Sequence, residues 1–189
     1  NIMVSVGILK GILIIMIATG IVTEGTATYD ILNAMSDAFF YFIPLFLAYT
    51  AAKKFDVEPF TAILVACILL HPSMTSVMAM EGAVNFFGLP LRTVTYSASV
   101  IPILLAIYCM SFVQKLCYKG IPETFRYLFT PPICVIVIVP VTLLLFGPIG
   151  SFVGGWLAKG YEWIYNLSPL LAGVLIGALQ PFMVIFGLH

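Results

Sequence analysis

Long apolar runs separated by short polar connections form the main pattern along this chain of 189 residues. Six runs are long enough to cross a bilayer, because a hydrocarbon core about 30 Å thick needs roughly 20 residues of helix. They cover residues 2–23, 33–52, 59–80, 95–114, 127–148 and 167–188. The runs are continuously apolar rather than alternating, and an open sheet edge is unsatisfied in lipid, so the pattern predicts helices. We therefore expect an all-α, polytopic transmembrane helical bundle of about six spans.

The connection 149–166 has a pattern of its own. Its apolar residues recur at helical spacing, while Lys159 and Glu162 fall away from that stripe. It also carries rings of the kind that settle in the headgroup layer: Trp156, Tyr161, Trp163 and Tyr165. The pattern predicts an interfacial amphipathic helix. An irregular loop with aromatic anchors is the alternative, because the glycines in this segment weaken any helix.

Composition fits a membrane protein. Hydrophobic residues make up 62% of the chain and charged residues 8%, with a mean hydropathy of +1.14, whereas soluble domains carry about 25% charged residues. The eight basic and eight acidic residues cancel, so there is no basic face to bind nucleic acid. The four cysteines lack metal-ligand spacing, and no phosphate loop, zinc pair or nucleophile elbow occurs. We therefore expect no metal, no cofactor and no catalytic centre.

The basic residues predict which side of the bundle faces the cytoplasm. Five of them lie in the connections after the second and fourth runs: Lys53, Lys54, Lys115, Lys119 and Arg126. The alternate connections hold only Arg92 and Lys159. The positive-inside rule then makes the N-terminus cytoplasmic, and His189 as well if all six runs cross. Lys10 lies inside the first run, and we expect its side chain to snorkel toward the cytoplasmic face.

Polar groups within apolar runs are candidates for function, because burying them in hydrocarbon costs several kcal/mol unless they are paired or solvated. Asp37 opens an aromatic stretch, and its alternative interpretation is an interfacial acid. His71-Pro72 interrupts the third run. The proline predicts a bend, with the imidazole paired to a freed carbonyl. A structural kink is favoured here over a substrate contact.

The last run combines a helix break with a histidine. Gln180-Pro181 interrupts the helix, and Gly187 precedes the terminal His189 by two positions. Many transporters build substrate sites from broken helices, because the unpaired backbone groups there need a polar ligand or water. His189 is therefore a candidate for substrate binding. The alternative is a terminal histidine that only reaches the interface.

Six short strings occur in an order that is typical of one family. They are Asp37–Pro44 with Leu47–Phe55, His71-Pro72, Phe86–Pro90, Tyr96–Pro102, Gly147–Gly150 and Phe186–His189. Together they resemble the membrane-spanning IIC component of bacterial phosphotransferase-system sugar permeases. The nearest likeness is to the β-glucoside, sucrose and trehalose branch of the glucose superfamily. The resemblance covers nearly the whole chain.

This resemblance implies a scaffold and dimerisation half over residues 1–148, an interfacial linker over 149–166 and the start of the sugar-binding transport half over 167–189. It implies alternating access, with phosphate passing to the sugar from a cysteine of a partner IIB domain that works with a IIA component. His189 matches the histidine of the family's Gly-x-His motif, which hydrogen-bonds the sugar.

Several further expectations follow from the resemblance. They are a β-glucoside or sucrose-like substrate, a homodimer in the bacterial inner membrane, and participation in a multi-component sugar phosphotransferase without a nucleophile in this chain. The family's Gly-Ile-Thr-Glu-Pro motif and the IIB phosphocysteine motif do not occur. We therefore expect a fragment whose sugar site is incomplete.

Two other classes of protein remain open from the residues alone. An ion-coupled secondary transporter would release unmodified substrate and needs an intramembrane acid. Only Asp37 and Glu81 are placed for that role. The other class is a structural membrane subunit that dimerises through its glycine-rich faces.

Overall fold

The computed structural model describes residues 2–80, 84–86, 88–91, 96 and 99–167. The chain divides into two compact units, residues 1–43 and residues 44–189. Over the described residues it contains eight α-helices, one π-helix and one short β-hairpin. The predicted all-α architecture is confirmed, with the hairpin as an addition.

The first unit contains two helices, α1 (Ile2–Ala18) and α2 (Ala27–Tyr41). Helix α1 ends where the Thr19 hydroxyl donates to the Ile15 carbonyl over 2.9 Å. Gly20 follows with a φ of 74°, a left-handed conformation that glycine adopts without steric cost. The first helix is therefore shorter than the predicted run 2–23.

Lys10 is paired within this first unit. Its Nζ donates to Oδ1 of Asn33 over 2.6 Å, so the ammonium of α1 is held by an amide of α2. Snorkelling of Lys10 toward the cytoplasmic face stays a prediction. A polar pair of this kind satisfies a charge that would be costly alone in an apolar run.

Helix α3 begins at the boundary between the units, and the remaining elements belong to the second unit. Their bounds are α3 (Ile43–Phe55), α4 (Pro59–Leu70), α5 (Pro72–Met78), β1 (Val84–Phe86), β2 (Leu89–Leu91), α6 (Ile101–Gly120), α7 (Glu123–Val141), the π-helix (Thr142–Phe146) and α8 (Gly147–Leu167).

Small side chains make up much of the core of the second unit. Six alanines from α3, α4 and α6 are buried to 5% exposure or less: Ala48, Ala51, Ala52, Ala62, Ala66 and Ala106. Small residues let helix backbones approach closely, which is how helices associate when lipid removes the hydrophobic driving force. The larger fully buried side chains come mainly from α6 and α7: Ile103, Ile107, Met110 and Ile138.

Large apolar side chains also cover the outer surface. Phe60 is 79% exposed, Leu116 71% and Ile136 70%. A soluble monomer rarely shows apolar surface of this extent, whereas a bilayer solvates it. The protein is therefore a membrane protein by its surface as well as by its sequence.

Within the described part of the chain, three helical stretches have the length and apolar composition of a membrane span: Ala27–Phe55, Ile101–Gly120 and Glu123–Trp156. A fourth candidate is the pair α4 and α5, which is bent by 49° at its break. These four overlap the second to fifth predicted runs. The fourth run was placed too early, because its helix begins at Ile101 rather than 95 and continues to Gly120. The sixth run, 167–188, lies outside the described residues except for its first position.

The hairpin corrects an expectation, since residues 81–94 were predicted only as a connection. Strands β1 and β2 pair antiparallel, with Val84 opposite Leu91 and Phe86 opposite Leu89. Gly88 has a φ of 83°, as a tight hairpin loop requires. Pro90 is tolerated because both strands of a two-stranded sheet are edge strands.

The connection 149–166 is helical as predicted, within α8. The irregular-loop alternative is therefore wrong. Phe152, Trp156 and Trp163 are each more than 60% exposed, so their rings are available to a surrounding medium. That this helix lies in the membrane interface stays a prediction.

Candidate functional site

The break between α4 and α5 is the first feature of the candidate site. His71 ends α4 with an extended backbone (φ −59°, ψ 139°), and Pro72 opens α5 at its first position. Proline has no N–H and restrains the preceding residue to extended conformations, whereas its fixed φ suits the first turn of a helix. The sequence His71-Pro72 therefore stops one helix and starts another at 49°.

The imidazole of His71 caps the second of these helices. Its Nδ1 accepts a hydrogen bond from the Ser73 N–H over 3.2 Å. The expected pairing with a freed carbonyl is wrong, because the ring acts as an acceptor at a helix N-terminus, where N–H groups lack partners. An accepting Nδ1 places the proton of the neutral ring on Nε2, so His71 retains one donor.

A pocket of about 520 Å³ lies beside this break, within the second unit. It is lined by α4, α5, the hairpin, α7 and the π-helix. The lining residues are Leu64, Cys67, Ile68, His71, Ser73, Met74, Val77, Met78, Val84, Asn85, Phe86, Leu91, Val139 and Leu143. Such a volume lies within the range of small-molecule sites.

The lining is almost wholly apolar. Among the described residues it contains no Asp, Glu, Lys or Arg, and its polar side chains are His71, Ser73 and Asn85. Beyond its Nδ1 bond, the His71 ring makes no hydrogen bond to any described residue. Within the described ranges no three His, Cys, Asp or Glu side chains are grouped as metal ligands. The described lining is therefore mainly apolar, with hydrogen-bonding side chains on His71, Ser73 and Asn85.

The segments Tyr96–Pro102 and Gly147–Gly150 contact each other. A Cβ at Gly147 would clash with the hydroxyl of Tyr96, and one at Gly150 would lie 2.8 Å from Cγ of Pro102. The spacing Gly-Pro-Ile-Gly is thus explained by close packing of α8 on Tyr96 and on the start of α6. Tyr96 is 4% exposed, and its hydroxyl has no hydrogen-bond partner among the described residues.

The turn between α3 and α4 holds a polar cluster that the sequence analysis missed. Gln114 of α6 is 6% exposed, and its Oε1 accepts from the Glu58 N–H over 2.9 Å. The carboxylate of Glu58 caps α4 by accepting from the N–H groups of Phe60 and Thr61 and from the Thr61 hydroxyl. The sequence signal for this cap is Glu58 followed by Pro59, because proline is common at the first position of a helix.

This capping decides the acidity of Glu58. Partial burial pushes its pKa upward, but the hydrogen bonds from Thr61 and Phe60 outweigh that effect and hold the pKa below its usual value. The carboxylate therefore stays charged near neutral pH and faces the positive end of the α4 dipole. The carboxylate caps α4, and the backbone N–H of Glu58 joins this start of the helix to Gln114 of α6.

The principal predicted site residue, His189, lies outside the described residues, as do Gln180 and Glu81. Asp37 is half-buried in α2, and its side chain makes no hydrogen bond to any described residue. The pocket at the break consists instead of residues that the sequence analysis treated as span interior or as connection.

Comparison with known proteins gives one consistent result. The family model described as "Phosphotransferase system, EIIC" matches residues 2–189. The beta-glucoside-specific EIIBCA component of Dickeya chrysanthemi is 43% identical over 194 residues, covering 100% of this chain and 31% of that protein. The arbutin-, cellobiose-, and salicin-specific EIIBC component of Escherichia coli (32% identity, 95% of this chain, 38% of that protein) is another relative.

The sucrose-specific EIIBC component of Salmonella typhimurium is 32% identical, over 98% of this chain and 41% of that protein. The chain spans about a third of the length of the first curated relatives it matches. No solved structure matches it.

Proposed function

The chain belongs to the phosphotransferase system EIIC family, and from that premise we propose that it is the membrane permease part of a phosphoenolpyruvate-dependent sugar phosphotransferase system. It moves the sugar inward by alternating access, and a partner IIB domain phosphorylates the sugar at the cytoplasmic face. The observation that carries the proposal is the family match over residues 2–189. The chain supplies the path for the sugar, and the phosphate comes from outside this chain.

The proposed substrate is a β-glucoside or a related disaccharide. The relatives with the highest identity quoted above carry the words beta-glucoside, arbutin, cellobiose, salicin and sucrose in their names. Those names describe the relatives, and their agreement on glycosides supports the same class here. Selectivity within the class depends on a few hydrogen bonds, because a site built for a hydroxyl rejects an analogue that lacks it.

The proposed partners are IIB and IIA components, the lipid bilayer and a second copy of the chain. The names of the relatives include EIIB, and for some also EIIA, in the same protein as EIIC. This supports joint action of the components in sugar phosphorylation, as part of a sugar phosphotransferase of class EC 2.7.1.-. The chain's own contribution would be binding and translocation.

The proposed location is the bacterial inner membrane with a cytoplasmic N-terminus. Three lysines in the basic connections fall at the ends of helices that enter the candidate spans: Lys53 and Lys54 in the last turn of α3, and Lys119 in that of α6. Basic residues at a helix C-terminus also interact favourably with the negative end of the helix dipole. The positions of these lysines therefore agree with both the positive-inside rule and the helix dipole.

His189 is the proposed sugar ligand. Its imidazole has one donor and one acceptor nitrogen, which matches the dual character of a sugar hydroxyl. The substitution His189→Gln keeps hydrogen-bonding capacity, whereas His189→Ala removes it. We expect the alanine variant to bind the sugar roughly ten- to a hundredfold more weakly, and the glutamine variant to lose less.

Sugar uptake tests the function. The chain, within a complete permease, is expressed in cells with an intact phosphate relay and in matched cells that lack the relay protein donating to IIA. Labelled β-glucoside should accumulate as sugar phosphate in the first strain and should not accumulate in the second. Undiminished accumulation of unmodified sugar without the relay would overturn the proposal and favour ion-coupled transport.

A further inference from the structure

The end of α3, the start of α4 and the last turns of α6 are joined at one end of the second unit. Gln114 of α6 makes this junction, since its Oε1 accepts from the Glu58 N–H over 2.9 Å and its Nε2 lies 3.5 Å from the Asp56 carbonyl oxygen. The start of α7 lies against the same part of α6, because Cζ of Arg126 is 5.5 Å from the centre of the Tyr118 ring. The basic residues of these segments are therefore gathered at this end of the unit.

These basic residues differ in whether the protein supplies a partner. Nη1 of Arg126 lies 3.6 Å from a carboxylate oxygen of Glu123, and Nε of Arg126 donates to the Ile121 carbonyl over 3.1 Å. Nζ of Lys53 lies 4.4 Å from the centre of the Tyr49 ring. Three further lysines are exposed and make no hydrogen bond or ion pair with any described residue: Lys54, Lys115 and Lys119. Their ammonium groups are therefore available to an anion outside the protein.

Two of these lysines follow an exposed apolar strip of α6. The strip consists of Tyr108, Phe112 and Leu116, which are 47%, 55% and 71% exposed and repeat every four residues along one side of the helix. Lys115 and Lys119 each come three residues after a member of the strip, so each lies beside it on the helix surface. The outer face of α6 therefore combines apolar side chains with free positive charge at its C-terminal end.

An anionic phospholipid matches both parts of this face. Its phosphate attracts ammonium groups near the headgroup layer, where each lysine strengthens binding by about fivefold. Its acyl chain covers apolar side chains that a soluble anion or a polar protein surface leaves exposed. The order of the residues also fits, because the charges lie at the end of the helix and the apolar strip lies toward its middle.

We infer that this face of α6 is a binding site for an anionic phospholipid, with Lys115 and Lys119 contacting the phosphate and the acyl chain lying along the apolar strip. Lys54 at the end of α3 adds a third positive charge across the Gln114 junction. The inference goes beyond the proposed function, since it needs only that the protein lies in a membrane. A soluble phosphate compound and an acidic protein surface are the competing occupants.

Native mass spectrometry of the full-length protein in neutral detergent tests the inference. Dioleoyl phosphatidylglycerol and dioleoyl phosphatidylcholine are titrated separately, so that the two lipids share their chains and differ in net charge. The wild type should bind phosphatidylglycerol roughly twentyfold more tightly. Lys115→Gln and Lys119→Gln should each weaken that binding by about fivefold and leave phosphatidylcholine binding unchanged. Equal affinity of the wild type for the two lipids would overturn the inference.

Two matched variants separate a local site from general charge. Lys115→Arg keeps the positive charge and should retain the affinity for phosphatidylglycerol. Lys159→Gln removes an exposed lysine from α8, away from the strip, and should also retain it. If Lys159→Gln weakens phosphatidylglycerol binding as much as Lys115→Gln does, the lipid responds only to the net charge and the site on α6 is wrong.

The competing occupants give different results in the same assay. Glycerol 3-phosphate, a soluble phosphate ester without acyl chains, should not displace phosphatidylglycerol at millimolar concentration. Displacement would assign the lysines to a free phosphate compound and overturn the lipid assignment. An unchanged affinity of the two glutamine variants for phosphatidylglycerol, together with weaker binding of an isolated IIB domain, would assign the face to a protein partner instead. None of these measurements depends on sugar transport, so the inference and the proposed function can fail separately.

Discussion

Two proline-containing stretches of the second unit respond to proline in opposite ways. The stretch Pro59–Met78 separates into α4 and α5 at Pro72, with a bend of 49°. The stretch Glu123–Trp156 holds Pro131, Pro132 and Pro140 inside α7 and still counts as one apolar helix. The number of prolines therefore does not decide whether a span breaks.

The difference lies in what replaces the missing backbone hydrogen bond. At Pro72, the backbone of His71 is extended and ends α4, and the ring of His71 caps the start of α5. After Pro140 the helix widens into the π-helix Thr142–Phe146, where the Thr142 hydroxyl donates to the Ile138 carbonyl over 2.7 Å. A capping residue turns a proline into a break, whereas local widening lets the helix continue.

The largest loss of stability is expected at Gly147, which lies in the stretch Glu123–Trp156. Gly147→Ala places a methyl group against the Tyr96 hydroxyl, and overpacking of this kind costs about 1–3 kcal/mol. Thermal unfolding of the permease in nanodiscs should show a lowered midpoint. Combining it with Tyr96→Phe should restore part of the loss, because the clashing oxygen is removed.

Gly155→Ala is the matched control in the same helix. Nothing lies within 4 Å of a Cβ at Gly155, so the substitution should be neutral or stabilising by up to about 1 kcal/mol through helix propensity. Equal destabilisation by Gly147→Ala and Gly155→Ala would show that the Tyr96 contact is not what requires a glycine.

An intermediate effect is expected at the break itself. His71→Ala removes the cap of α5 and should destabilise the protein by about 0.5–2 kcal/mol. His71→Asn retains an N-cap acceptor and should recover most of this stability, as measured by the same unfolding assay. If the two variants are equally unstable, the Nδ1 bond to Ser73 does not hold the break.

The smallest effect is expected at the start of the broken stretch, where Glu58 caps α4. Since its pKa is lowered in the folded protein, its stabilising contribution is fully present above the unfolded-state pKa and is lost as pH falls through the folded-state value. Glu58→Gln should cost roughly 0.3–1 kcal/mol at pH 7. The difference from the wild type should shrink below about pH 4. A pH-independent difference would contradict charge-assisted capping.

Helical runs could be predicted from the sequence because continuous apolarity is a local property. The boundaries were predicted less accurately: α6 begins several residues later than its run, since Pro102 sets its first turn rather than the edge of the apolar segment. Strands β1 and β2 were missed because three residues each are too short to show an alternating pattern.

The pocket and the packing around Gly147 could not be predicted from the sequence at all. Each depends on residues from distant parts of the chain, such as Val139 near His71 in the pocket lining, or Tyr96 against Gly147. Periodicity reports only which face of one helix is apolar. The segments Tyr96–Pro102 and Gly147–Gly150 are far apart in the sequence, and the structure shows that they form the two sides of one contact.

The chemical form of the transported sugar tests the central claim most directly. Right-side-out membrane vesicles containing the complete permease and the relay proteins are loaded with phosphoenolpyruvate and given labelled β-glucoside outside. We predict that nearly all label inside the vesicles is sugar phosphate, and that vesicles without phosphoenolpyruvate accumulate none. Accumulation of free β-glucoside driven by an ion gradient, with no phosphoenolpyruvate present, would contradict the account.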